Sequence, residues 1–376
     1  MSVKNLGLIL GFLVVIAACS KNQKSEPGPV EHSIDRQAML INYADNIVVP
    51  SYTAFKGNLD FMVKKGDAFN ANPTKITLTE FREAWVNTYI SWQKVELFEF
   101  GSADKFVLRS YFNVYPANEA LINANILAAN ANFDLPSTYT SQGFPALDYL
   151  INGLGANDEA ILSYYTTAPD ATKRLAYIKK ITAQMNTVFN QVYTEWKSNQ
   201  RDTFVSKVGM DASSSTSTMV NGFVRNYERS IRSGKFGIPS GTMFNGTVSP
   251  EKVEAFYKKD ISLTLAKTAH QAATDFFNGK NNVGIEGPSF KTYLNALSAT
   301  DSKTKGSLSL AITDQFALTE QKLNVLPTEN LNELVKTQNE LMINVYSELQ
   351  KTVRLIKVDM TSAMSITITY TDNDGD

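Results

Sequence analysis

From residue 33 onward, apolar side chains recur at the three- and four-residue spacing of amphipathic helices, and this period limits the possible folds most severely. Within residues 170–198, Ile178, Ile181, Met185, Val188, Val192 and Trp196 fall close to one face. Leu331, Leu334, Gln338, Leu341, Val345 and Leu349 repeat in the same way in a last long helix. Residues 33–66 read as a helical segment with a kink or break at Pro50. Thr77-Leu78-Thr79-Glu80 has the form of a capping box, opening a helix that runs to about Phe100 and stops at Gly101. Pro116 starts a helix through Ala131, and Pro145 sits in the first turn of a short one through Asn152. Ser249-Pro250-Glu251 opens a helix to about Asn278, ended by Gly279. Only Ser365 to Tyr370 alternates like a strand, ahead of the acidic end Asp372-Asn373-Asp374-Gly375-Asp376. The spacing predicts an all-α fold with a short C-terminal strand.

A chain of 376 residues can build two sizeable cores. The polar patch Ser213-Ser214-Ser215-Thr216-Ser217 lies near the middle, with long helices on either side. A junction at about 205–212 is expected there, between a helical bundle over 33–208 and another over 209–376. Each half carries a Gly-Pro turn, Gly143 to Pro145 and Gly237 to Pro239.

The first 18 residues read as a targeting segment: Lys4 is followed by an apolar run too short to span a bilayer. The run ends in Ile16-Ala17-Ala18-Cys19, which looks like a lipoprotein cleavage site, making Cys19 the expected lipid-carrying residue. Residues 19–32 have the polar, Pro- and Gly-bearing composition of a tether. The expected place is therefore the envelope of a Gram-negative bacterium, at the periplasmic face of the outer membrane, with the membrane itself as one partner. Cys19 is the only cysteine, so a disulfide framework or thiolate metal site is not available to the mature chain. The net charge of −1 argues against nucleic acid as a partner.

Chemistry is expected around two carboxylates. Phe81, Trp85, Tyr89, Trp92, Glu96 and Glu99 share one side of a helical projection, which places Glu96 in an aromatic stripe. An ionised carboxylate there needs a partner, either an arginine such as Arg82 or Arg109 in a core salt bridge, or a ligand. Asp148 falls on the inward side of its short helix, beside Phe144 and Ile151. If Glu96 and Asp148 converge, they would hold a hard cation or a cationic ligand. The two histidines offer little: His32 lies in the tether, and His270 projects away from the apolar face of its helix, toward solvent. A histidine zinc site and a Ser-His-Asp triad are thereby disfavoured. Lys235-Phe236-Gly237-Ile238-Pro239-Ser240-Gly241 reads as a tight loop, either functional or a rigid turn.

Taken together, Gln142-Gly143-Phe144-Pro145-Ala146-Leu147-Asp148-Tyr149-Leu150, Lys235 to Gly241, Val253-Glu254-Ala255-Phe256-Tyr257 and the ending from Asp359 resemble the imelysin-like family of bacterial envelope proteins, in its lipoprotein branch. The resemblance implies two four-helix-bundle-like domains with a site where they meet, an envelope location and a role in iron uptake. Members have been called peptidases because a Gly-x-His-x-x-Glu motif looked like a metal site. Here Gly143 matches the glycine, Pro145 stands at the histidine and Asp148 at the glutamate, so metallopeptidase activity is not expected. The expected function is a non-catalytic ligand-binding or accessory lipoprotein. Gly143, Phe144, Asp148, Trp85 and Glu96 would form the site, with Gly237, Pro239 and Ser240 from the second half. Iron or another divalent cation on Glu96 and Asp148 is the first ligand to consider, and an envelope transport protein the first partner. A carboxylate-only metallopeptidase and a purely structural envelope protein are the alternatives.

Overall fold

The computed structural model describes residues 35–371; Cys19, the tether, His32 and the acidic end lie outside that range. Helix α1 (Arg36–Ile41) passes through a π-helical stretch, Asn42–Val48, into α2 (Val49–Ala71). The interruption expected at Pro50 takes this form: the missing proline N–H falls where the wider turns give way to α-helix, and the chain continues without a break. Helix α3 (Lys75–Trp92) starts earlier than Thr77, because Thr74 is its cap. The Thr74 hydroxyl accepts from the Thr77 amide at 3.2 Å, and the Thr77 hydroxyl accepts from the Thr74 amide at 3.0 Å. It also stops earlier than Phe100, so Glu96 and Glu99 lie in the turns beyond it.

The short helix α4 (Leu108–Phe112) and α5 (Glu119–Ala128) follow, the latter capped by Asn118 rather than opened by Pro116. Helix α6 (Gly143–Asp148) carries Pro145 in its first turn and runs on as a π-helical stretch, Tyr149–Gly153. The long α7 (Ala171–Glu195) buries Ile178, Ile181, Met185, Val188 and Val192, as its spacing requires. It packs on α2, and α2 in turn on α3.

In the second half, Ser214 caps α8 (Ser215–Arg225), so the serine-rich patch is a helix start, buried from Ser214 to Ser217. A buried π-helical stretch, Asn226–Gly237, continues from α8. Pro250 opens only a single short turn, and the helix expected from Ser249 begins at α9 (Ser262–Asn278), which ends at Gly279 in the left-handed conformation. Then come α10 (Leu308–Asn324), α11 (Leu331–Thr337) and α12 (Asn339–Arg354); the last long helix is thus divided at Gln338. Residues 365–370 pair with no strand, so the expected β-segment is not formed among the described residues. Alternation there reflects Ile366 turned to the core and its neighbours turned out.

Helices on both sides of residues 205–212 contribute to one apolar core within the unit Ile34–Asp376. Phe276 of α9 packs against Tyr43, Phe98 and Phe223 at centroid distances of 4.5, 5.6 and 5.6 Å. The Tyr43 hydroxyl donates to the Phe276 carbonyl at 2.8 Å. Each such fully buried aromatic contributes roughly 1.5–3 kcal/mol through burial alone. That seam also carries the polar groups described next.

Candidate functional site

Where α3 ends, its aromatic stripe gives way to a buried polar network joining both halves of the chain. Gln93 and Glu96 follow Trp92; Asn113 follows α4; Lys235 lies near the end of the π-helical stretch; and Glu254 lies in the loop before α9. Asn113 is the hinge of the hydrogen bonding. Its amide donates to Glu96 Oε1 at 3.1 Å and to Glu254 Oε1 at 2.8 Å, while its Oδ1 accepts from the Tyr89 hydroxyl at 2.6 Å. Gln93 Nε2 donates to Glu254 Oε1 at 3.0 Å, and Gln93 Oε1 accepts from Lys235 Nζ at 2.8 Å. Lys235 Nζ also pairs directly with Glu254 Oε2. Arg109 Nε donates to Glu96 Oε1 at 3.1 Å from the partly exposed edge.

Two buried acids thus face a buried Lys235 and a partly exposed Arg109. Burial pushes the Glu96 carboxyl up, against the pull of Arg109 and Lys235 and with the nearby Glu254 adding to the rise. Burial pushes Glu254 the same way, but the Lys235 ammonium and the donors from Lys235, Asn113 and Gln93 outweigh it and hold this carboxyl below its usual range. Burial, reinforced by Glu254, also raises the Tyr89 and Tyr115 hydroxyls well above the ordinary phenol range. The resulting charge pattern is internally closed: a carboxylate on Glu254 neutralised by Lys235, and Glu96 by Arg109.

Asp148 belongs to a different arrangement. Its Oδ2 accepts from the Tyr257 amide at 2.9 Å, and its Oδ1 from the Lys258 amide and from Asn152 Nδ2, each at 2.9 Å. It anchors the loop that carries Glu254. Burial pushes its carboxyl up to about 7, against the pull of these donors. Asp148 and Glu96 share no hydrogen-bonding partner; the acid that meets Glu96, through Asn113, is Glu254. The expected convergence is therefore corrected in its membership.

Gly143 enters α6 at φ +73, and a Cβ there would lie 2.4 Å from the Phe112 carbonyl oxygen, so only glycine lets α6 close on α4. Phe144 stacks on Tyr89 at 4.3 Å and 8°, and Trp85 meets Tyr89 edge-on at 5.3 Å. These three residues position the Tyr89 hydroxyl on Asn113. Gly237, Pro239 and Ser240 form the rigid turn: Ser240 Oγ bonds with Thr242 Oγ1 at 2.8 Å, and the Pro239 carbonyl accepts from the Ser249 amide at 2.9 Å. The turn reaches the site through Lys235, two residues before Gly237.

His270 is buried rather than solvent-facing. Its Nε2 donates to the Phe316 carbonyl at 3.0 Å and its Nδ1 lies 3.2 Å from the Tyr227 hydroxyl, which fixes a neutral tautomer; burial lowers its pKa to about 4. Lys235 and Glu254 lay inside segments singled out from the sequence, yet their roles were not read there. The available signal was an ionisable residue within a short apolar run.

The residues present do not fit a metal ion. Every oxygen of Glu254 and Asp148 is already engaged, Pro145 is a buried packing residue, and Glu96 Oε1 is taken by Arg109 and Asn113. Among the described residues no group of three or more His, Cys, Asp or Glu side chains is arranged to hold one.

The sequence from residue 48 to residue 356 matches the model of the family described as Imelysin, well over half of the chain. The chain belongs to the imelysin family. Its fold is similar to that of a protein from Parabacteroides distasonis ATCC 8503 described as a candidate iron-regulated protein A precursor, at a TM-score of 0.68 and 18% identity, covering 90% of this chain and 97% of that one. It is also similar to an imelysin-like protein from Psychrobacter arcticum 273-4, at a TM-score of 0.63 and 18% identity, covering 88% and 96%. No curated protein matches the chain. At these identities the likeness establishes a shared imelysin fold and leaves the chemistry to the residues themselves.

Proposed function

We propose that this imelysin-family chain is a non-catalytic accessory lipoprotein of the cell envelope, held at the periplasmic face through Cys19 and serving iron uptake together with a transport partner. The observation that carries the reading is the closed Lys235–Glu254 and Arg109–Glu96 arrangement at the junction of the two halves. General acid–base or metal chemistry needs a group free to exchange a proton or accept a cation, and here each charge is already compensated by a partner. Such a network suits a structural keystone that presents a fixed surface to a ligand or partner. The iron connection rests on the family and on the Parabacteroides protein's description.

Deleting the gene in its native host and comparing growth under iron limitation tests this reading. Slower growth is expected, restored by the wild-type gene and restored poorly by Cys19→Ser, whose product leaves the membrane fraction. Purified protein is expected to cleave no peptide in a panel supplied with ferrous, zinc or calcium ions. Chelator-sensitive cleavage, or growth indifferent to both deletion and iron, would overturn it.

A further inference from the structure

Away from the ionic network, a cleft of about 920 Å³ opens between α2 and α3 on one side and α9 and α10 on the other. Its volume lies at the upper end of the range that takes a ligand of small-molecule size. Ile47, Phe98 and Phe276 close its floor, and their own burial shows that the apolar core ends there. The walls are polar in a selective way. Lys94, just beyond α3, and Lys267, on α9, line it from opposite sides, and neither has an ion-pair partner among the described residues. Lys280 lines it too, 3.5 Å from Asp275. Asn58, Asn87, Asn282 and Asn324 add side-chain amides that have no hydrogen-bond partner among the described residues.

Scattered surface lysines need no explanation. Here Lys94, Lys267 and Lys280 line one concavity against two carboxylates, Asp275 and Glu320, so its lining carries an excess of positive charge that favours an anion. Free carboxamides each offer two donors and one acceptor, the complement of hydroxyl groups. We infer that this cleft binds a small polyhydroxylated anion of the acidic-sugar class, with Lys94 and Lys267 on its charged group and the asparagine amides on its hydroxyls. Glu320, which lines the same cleft, opposes such a ligand and sets its orientation by repulsion.

Calorimetric titration of the purified chain from residue 20 onward with digalacturonate, a hexose phosphate and neutral maltose tests the inference. At least one of the two anions is expected to bind, the tighter one identifying the charged group as carboxylate or phosphate, while maltose binds at least about tenfold more weakly. Lys94→Ala and Lys267→Ala, both at accessible positions, should each weaken binding by about tenfold, and raising the salt should weaken it further. Glu320→Gln should strengthen it. Absence of binding by both anions, equal binding of maltose, or affinity indifferent to both lysine substitutions would overturn the inference.

Discussion

Lys235 is the residue on which the central network depends most. Replacing it with methionine leaves Glu254 buried beside Glu96 with no cation, an arrangement that costs about 3–5 kcal/mol where a buried pair is broken from one side. Urea denaturation of Lys235→Met should show a loss of that order, and the double variant Lys235→Met, Glu254→Leu should recover most of it. A single-variant loss under about 1 kcal/mol would mean that the pair carries no weight, since surface pairs lie in that range. Asp148 and His270 make opposing contributions to pH dependence. Asp148 titrates near 7 when folded and at its ordinary value of 3.8 when unfolded, so the native state holds the extra proton and stability falls as pH rises between them. His270 is lowered from 6.5 to about 4 by burial, so the unfolded state holds the extra proton and stability rises over that interval. Across their windows Asp148 is worth roughly 4 kcal/mol and His270 roughly 3, and in the wild type they largely cancel between pH 4 and 6.5. Asp148→Asn removes one of them, and its chemical-denaturation midpoint should climb steeply from pH 4 to 6.5. It should also cost about 1–3 kcal/mol at neutral pH, since a carboxamide cannot accept from all three donors.

At the scale of elements, α6 is the piece with least freedom. Its entry at Gly143 has positive φ and no room for a methyl group against Phe112 and Tyr111 carbonyls. Gly143→Ala should therefore cost at least about 2 kcal/mol, from strain plus displacement of α4, and should lower the thermal midpoint accordingly. The companion Gly57→Ala, where an added Cβ meets nothing, should leave that midpoint unchanged or raise it. The π-helical stretch Asn226–Gly237 plays the complementary part: its widened turns bury Glu228, Arg232 and Lys235 along one segment. Helix existence was legible from spacing in α2, α7 and α12, because the core-facing period is a local property. Helix ends were legible where a cap is local, as at Gly279, and misplaced where packing decided them, as at Trp92 and Ser262. No local pattern distinguishes π-helical turns from α-helix, so those stretches were not read.

For the whole molecule, the two halves share one core, and Phe276 and Phe290 each contact aromatic rings from both sides of residues 205–212. Two halves that share a core in this way should unfold together, and scanning calorimetry should record one transition; two resolved transitions would mean that the halves are energetically separate. By itself the sequence determined the all-helical class, the apolar faces and the need of Glu96 for a partner, because periodicity and the cost of burying charge act on short stretches of chain. Arg109 was already among the candidate partners for that reason. Only the tertiary structure decided that Glu96 meets Glu254, through Asn113, rather than Asp148, and that Lys235 pairs with Glu254 and Gln93. The Asn113–Glu254 and Gln93–Lys235 bonds join residues more than a hundred positions apart, and their geometry is set by how the helices pack rather than by any spacing along the chain.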